Sequence, residues 1–279
     1  MKVSVIMVDG GFRENTYGAN YFVGQDFPED QYEIIWVEYY DRVNKKVRDL
    51  DGIKIIELGR TGIYHSSYCF NAGISAAKGD VIVIPDADQI VDKSFLKRVY
   101  ENHSQINNLV CYGFRYDETE SGVLQSHDLK DLKKNCKLKN PSNYGGCLTV
   151  RRELLLKING YEQHEAFESG FHANGLDLYT RFKNLGLPIM WDKELILYHP
   201  WHAFTLSSAV EYDCQKAIIN WRAINLQYMA LNGIDKSMDS LPTHKSEIDI
   251  ICEPGHLSAT GENISLLRRI VRKLKSHLC

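Results

Sequence analysis

Apolar and polar positions alternate in blocks along this chain, and the blocks are short. Lys2 to Val8 is a compact β-rich run that breaks at Asp9-Gly10-Gly11, and Tyr32 to Glu38 and Ile53 to Leu58 repeat the pattern. Val81-Ile82-Val83-Ile84 is β-branched throughout, as fits a strand buried on both faces of a parallel sheet. A helix of modest quality is expected between Glu14 and Asp26, ending before Pro28, and a second from Ser66 to Lys78. Asp92 can cap a third, in which Phe95, Leu96, Val99 and Tyr100 share one face. Strand, helix, strand, strand, helix, strand is an α/β pattern, so the expected fold is a mostly parallel, mixed sheet flanked by helices.

The second half is less regular. Leu109 to Phe114 reads as a strand, and Arg115 to Asn143 is polar and charged with little periodicity, the mark of a functional loop or lid. Cys147 to Val150 is a short strand after Gly145-Gly146, and Arg151 to Leu156 opens a helix that stops at Asn159-Gly160. Leu195 to Tyr198 forms another strand, ending at His199-Pro200-Trp201-His202. Ser208 and Glu211 have capping-box spacing, and the helix they open is expected to reach about Leu231, where Asn232-Gly233 stops it. Near the C-terminus Leu266, Leu267, Ile270, Val271, Leu274 and Leu278 form a stripe, with Arg268, Arg269, Arg272, Lys273 and Lys275 crowding the rest. Such a basic amphipathic helix can lie on an anionic membrane surface or dock on protein. The expected organisation is a domain over residues 1–205 and a helical C-terminal extension over 206–279.

Composition changes this picture little. Of 279 residues, 44% are hydrophobic and 25% charged, enough for a core, and a net charge of -3 argues against bulk electrostatic binding of nucleic acid. Seven cysteines without C-x-x-C pairing suggest neither a disulfide framework nor a structural zinc site, and point to a reducing cytoplasm. The N-terminal apolar run is too short for a signal peptide, and no stretch approaches the length of a membrane span. The expected location is cytoplasmic, at the inner face of a membrane if the basic tail engages one.

The chemistry gathers at strand ends. Asp86-Ala87-Asp88 follows the Val81 to Ile84 strand, and Asp9 and Glu38 end two others. A parallel sheet places the C-terminal ends of its strands on one edge, where open α/β sheets bind ligands. Oxygen ligands of this kind suit Mg2+ or Mn2+ bridging phosphate oxygens, although Pro and Asp are also turn residues.

The blocks VSVIMVDGG, EIIWVEYYD, NAGISAAKGDVIVIPDADQIV, GGCLTVRRELLLKINGYEQ and LDLYTRFKNLG resemble, in order and spacing, the GT-A family 2 group of nucleotide-sugar glycosyltransferases, over roughly residues 2 to 203. The resemblance implies a GT-A fold and transfer of a sugar from a nucleotide diphosphate donor, UDP-sugar favoured, to a glycan or glycolipid hydroxyl, with inversion. It implies that Glu38 accepts a hydrogen bond from the base, that Asp9 lines base and ribose, and that Asn71, Asp86 and Ala87 belong to the nucleotide-sugar site. It also implies that Asp88 and Asp86 hold the cation, with His199 as the closer match for an imidazole ligand and His202 in reserve. Imidazole suits Mn2+ better than Mg2+.

Two departures stand out. The family's second strand usually ends D-D-G-S, whereas here bulky Tyr39 and Tyr40 follow Glu38. Inverting members carry an E-D pair before a helical D-L-x-x-R, whereas Asn174-Gly175 precedes Asp177-Leu178-Tyr179-Thr180-Arg181. Neither residue can take a proton. Asp177 is the favoured base, with Glu168 next and Glu165 and His172 nearby; Asp177 could equally serve the helix dipole or pair with Arg181. Trp191 and Trp201 suit a sugar face or a core. A donor-fold binding protein without turnover is the alternative. A nucleotidyltransferase ranks below it, since a Gly-rich, cationic triphosphate loop is not evident.

Overall fold

The computed structural model describes residues 1–11, 13, 16–119, 128–168, 173–202 and 212–235. Strand β1 (Val3–Asp9) is followed by helix α1 (Tyr17–Val23), β2 (Tyr32–Glu38), the one-turn α2 (Lys45–Arg48), β3 (Ile53–Glu57), α3 (Ser66–Ala76), β4 (Val81–Pro85), β5 (Ile90–Val91) and α4 (Phe95–Gln105). Then come β6 (Val110–Asp117), α5 (Leu129–Asn135), β7 (Lys137–Leu138), β8 (Cys147–Arg151), α6 (Arg152–Lys157), α7 (Asn174–Asn184), β9 (Ile189–His199) and α8 (Tyr212–Asn225).

All nine strands join one sheet in the order β3-β2-β1-β4-β8-β6-β9-β5, with β7 on β6. β1 pairs in parallel with β2 and β4, and β2 with β3, so all four open on the same edge. β8 runs against β4 and β6, which restores β6 and β9 to the direction of β4. The expected mixed, mostly parallel sheet is the one observed.

Alternation along the strands explains the layering, since successive side chains point to opposite faces. Ile6, Ile35, Val37 and Ile82 join Ile74, Leu155, Leu178 and Phe182 in one core layer. Val5, Met7, Ile34, Trp36 and Val83 join Phe22, Phe95 and Val99 in the other.

The structure adjusts several boundaries. α1 is shorter than the Glu14 to Asp26 segment expected. β6 runs three residues past Phe114, and α5 and β7 occupy part of the stretch expected to be a loop. α8 ends at Asn225 rather than near Leu231, because Leu226 takes a left-handed φ of 52 and Arg222 bonds back to the Met229 carbonyl at 2.6 Å. Cys69, Cys111, Cys136 and Cys147 are free, whereas Cys214 is disulfide-bonded, a pairing that scattered spacing does not reveal. Among the described residues no helix is long and apolar enough to cross a membrane. The Ser208–Glu211 capping box, His172 and the basic stripe from 266 to 278 lie outside the described residues.

Candidate functional site

Asp9 and Glu38 are Cα partners at the ends of β1 and β2, both fully buried. Glu38 Oε1 lies 3.4 Å from the Tyr40 amide, while Glu38 Oε2 and Asp9 Oδ2 have no hydrogen-bond partner among the described residues. Burial pushes the Glu38 carboxyl up to about 7, and the charge of Asp9 adds to the shift. Burial raises Asp9 as well, against the opposing pull of Arg13. Two buried acids with open oxygens form an acceptor site waiting for a donor.

Beside them, β4 delivers the Asp86 to Gln89 turn. Gln89 is buried and fixes Asp86 from both sides: its Oε1 accepts from the Asp86 amide at 3.1 Å and its Nε2 donates to Asp86 Oδ2 at 2.9 Å. Helix α1 packs directly on this turn at Gly18, where a Cβ would meet the Gln89 and Ala87 carbonyl oxygens at 2.6 and 2.7 Å. Ala87 is therefore covered, and offers no side chain to a ligand. Arg115 lies 3.4 Å from Asp86 Oδ2, and Asp86 is not among the residues of the donor cluster described next.

Asp88, His199 and His202 offer donor atoms that all lie within 4.8 Å of one another. Asp88 Oδ1 is 3.7 Å from His199 Nε2, Asp88 Oδ2 is 3.4 Å from His202 Nε2, and the two imidazole Nε2 atoms are 3.3 Å apart. Asp88 Oδ1 is buried without a hydrogen bond. His199 Nδ1 lies 3.1 Å from Asp117 Oδ1, so its other nitrogen is oriented toward the group in the manner of metal-site histidines. One carboxylate and two imidazoles fit Mn2+ better than Mg2+. Burial alone would raise the Asp88 carboxyl, but Arg13 and the two histidines hold it well below the ordinary range.

Arg13 joins the two halves. Its Nη1 lies 3.3 Å from Asp9 Oδ1 and donates to the Val8 carbonyl at 3.0 Å, and its Nε lies 3.1 Å from Asp88 Oδ2. One guanidinium thus ties the acid at the end of β1 to the acid after β4.

The region expected to supply the base is built differently. Asp177 is buried, with Oδ2 on Arg181 Nε at 2.8 Å and Oδ1 on Arg222 Nε at 2.9 Å. Arg222 also meets Glu162 at 2.5 Å, and Arg181 donates to the Ile158 and Gly160 carbonyls. Each oxygen of Asp177 faces a buried guanidinium, Oδ2 hydrogen-bonded to Arg181 and Oδ1 in an ion pair with Arg222, so it ties α7 to α8. Asn71 is likewise structural: its amide exchanges two bonds with the Tyr161 backbone, at 2.9 and 2.7 Å. Glu168 is half-buried at the end of a single 3-10 turn, and Glu165 is exposed on it. Trp191 stacks on Tyr112 at 4.8 Å, a core contact, whereas the Trp201 amide bonds Glu118 at 3.0 Å beside the histidines.

Residues 25–158 match the family model described as Glycosyl transferase family 2. Among solved structures, Staphylococcus aureus TarS 1-349 in complex with UDP-GlcNAc aligns with a TM-score of 0.60 at 18% identity, over 81% of this chain and 67% of that one. Mannosyltransferase PcManGT from Pyrobaculum calidifontis, in complex with GDP-Man and Mn2+, aligns with a TM-score of 0.52 at 13% identity, over 80% and 64%. The chain thus spans about two thirds of these neighbours' length. No curated protein sequence matches the chain significantly. The chain therefore has the GT-A fold of these neighbours, and residues 25–158 resemble the Glycosyl transferase family 2 model.

Both departures from the family pattern have a structural reason. Tyr39 packs edge-on against Tyr64 at 5.3 Å, and the Tyr40 hydroxyl donates to the Gly62 carbonyl at 2.8 Å, so the tyrosines pin the β3–α3 loop beside Glu38. At the missing acid pair, Asn174 donates to Ser66 Oγ at 2.8 Å, and a Cβ on Gly175 would stand 2.5 Å from the Tyr144 carbonyl oxygen. Backbone fills the space an acid would need. Three residues of the cleft are not evident from the sequence pattern. Arg13 is a lone cation in a Gly-rich turn, and its spacing from Asp9 was the only signal. Asp117 and Arg115 were assigned to a patternless loop because β6 was ended too early; an acid at a fourth strand end was the clue.

Proposed function

We propose that this glycosyltransferase moves a sugar from a nucleotide diphosphate donor, preferentially a UDP-sugar, to a glycan hydroxyl, with Mn2+ on Asp88, His199 and His202. The open, buried carboxylate oxygens of Glu38, Asp9 and Asp88 along one sheet edge carry this reading. Glu38 suits the N3–H of uracil, and a guanine N1–H would offer the same kind of donor. UDP-GlcNAc in one structural neighbour and GDP-Man with Mn2+ in another support a nucleotide-sugar of either base. When bound, the cation neutralises the leaving diphosphate as a Lewis acid. Arg13 and Arg115 supply fixed positive charge to the same edge, and Gln89 keeps Asp86 in register with it.

For inverting transfer, Glu168 is the residue we assign as base: with Asp177 locked between two arginines, it is the half-buried acid left in that region among the described residues. A general base must reach the acceptor hydroxyl, and the end of a short turn can bring it there. The alternative of a donor-binding protein without turnover draws on one observation, the backbone that fills the family's acid position at Gly175. Calorimetry with UDP, GDP and CMP, each with and without Mn2+, followed by donor turnover, tests both. Mn2+-dependent UDP binding with release of UDP from a UDP-sugar is expected. Failure of all three nucleotides to bind would overturn the donor reading, and tight binding with no turnover would favour the binding protein.

A further inference from the structure

The stretch from Asp128 to Asn140 holds five lysines, at 130, 133, 134, 137 and 139, against two aspartates, in a chain whose net charge is -3. All five lysines are exposed. The nearby acids are already engaged. Asp128 Oδ1 caps the Lys130 amide, Asp92 pairs with Lys133, Asp117 pairs with Arg115 and His199, and Glu118 accepts from the Trp201 amide. Asp131 also has a partner.

What makes this more than a solvated face is its register with the cleft. Asp117 of β6 is the Cα partner of Lys137 on β7 and of His199 on β9. Paired residues of adjacent strands share a face of the sheet, and strands lie about 4.8 Å apart, so Lys137 and the candidate cation ligand His199 stand in one cross-strand row. Lys139 follows just after β7, and its Nζ donates to the Glu118 carbonyl at 3.3 Å; the Glu118 amide in turn bonds the His199 carbonyl at 3.0 Å. The segment is anchored from below: Leu132 and Cys136 pack with Ile90 and Tyr198. A positive ridge therefore leaves the cleft at His199 and continues over β7 and α5.

We propose that this ridge binds the acceptor, and that the acceptor is an anionic glycan, carrying phosphate or carboxylate groups along its length. The proposal rests on the glycosyltransferase reading of the cleft and names its second substrate class. Charge complementarity selects the occupant, since lysine is a point-charge partner for either anion. A bilayer fits less well, because the apolar residues of α5 face the core and leave no apolar stripe to insert.

The test uses the full chain and four probes: phosphomannan, the same mannan after enzymatic dephosphorylation, polygalacturonate, and vesicles rich in phosphatidylglycerol. Phosphomannan or polygalacturonate should bind, the neutral mannan at least about tenfold more weakly, and the binding should weaken steeply between low and physiological salt. The double variant Lys134→Glu/Lys137→Glu should lose about tenfold or more. Lys45→Glu/Lys46→Glu, exposed on α2 next to β3 at the other edge of the sheet, should bind like the parent. UDP affinity in the presence of Mn2+ should be the same in all three proteins, which also shows that the variants fold. Equal loss in both variants, equal binding of charged and neutral mannan, or tighter binding of vesicles than of either polyanion would each overturn the proposal. Polyanion binding without any nucleotide binding would leave the ridge standing and defeat the donor reading instead.

Discussion

Glu38 and Asp88 are buried acids at the mouth of the same sheet, yet their surroundings drive them in opposite directions. Glu38 has Asp9 and apolar walls, so its proton is held up to about 7. Asp88 has Arg13 and two imidazoles, which keep it ionised despite its burial. For Glu38 the linkage sign follows directly. Its folded pKa is raised, so its contribution to stability is fully present below the unfolded value and is lost as pH rises from there through about 7. Nucleotide binding should run the other way, because uracil N3–H needs the ionised acceptor. We expect UDP-sugar affinity to rise between pH 5.5 and 8 and the Glu38→Gln variant to lose that rise; a pH-independent affinity in the parent protein would remove Glu38 from the base site. Asp88→Asn keeps the shape and removes the charge. It should abolish the gain in UDP affinity and thermal stability that Mn2+ confers while leaving metal-free melting within a few degrees of the parent, as calorimetry and thermal shift would report.

At the scale of elements, the segment leading into α7 carries the residues that the proposed transfer would need. Asp177 and Glu168, weighed together as bases from sequence, separate cleanly here. Asp177→Ala strips a partner from two buried arginines and should cost about 3–5 kcal/mol in chemical denaturation. Glu168→Gln should cost little stability and reduce sugar transfer by at least about a hundredfold at unchanged donor KM. If instead Asp177→Asn abolished transfer with stability intact, the assignments would have to be exchanged.

The same comparison shows how far the sequence could be read. The strands of the first half were legible because each is a short β-branched run ended by an acid or glycine, and their shared direction brought Asp9, Glu38 and Asp88 together as expected. His199 and His202, at the end of β9 and just beyond it, were pointed to by the family resemblance. The surroundings of Asp177 were not legible, because its spacing to Arg181 suits a surface i, i+4 pair as well as a buried one, and Arg222 approaches its second oxygen from α8, 45 positions away in sequence. The same holds for Asn71, whose partner Tyr161 is 90 residues distant. Long-range partners of polar residues leave no local trace in the sequence.

For the whole molecule, the question is where the folded body ends. A boundary near 205, as the sequence suggested, would cut α8 from α7. The contacts argue against a seam there. Ile218 and Ile219 pack on Phe167 and Ala173, Arg222 pairs with Asp177 and Glu162 inside the protein, and the irregular segment after α8 bonds Ala230 and Ile234 to the backbone at Ile158 and Asn159. Removing α8 would expose that apolar cluster and leave Asp177 and Glu162 short of a partner, several kcal/mol in each buried pair. A chain ending at residue 205 should therefore fail to unfold cooperatively and should aggregate on expression. A chain ending at residue 235 keeps the cleft contacts described above, and should bind UDP with Mn2+ within about twofold of the full chain. Calorimetry and a denaturant melt of the two truncated chains, side by side under reducing conditions, would decide it: a cooperative, UDP-binding chain of 205 residues would restore the earlier boundary and reduce the Asp177–Arg222–Glu162 cluster to a peripheral contact.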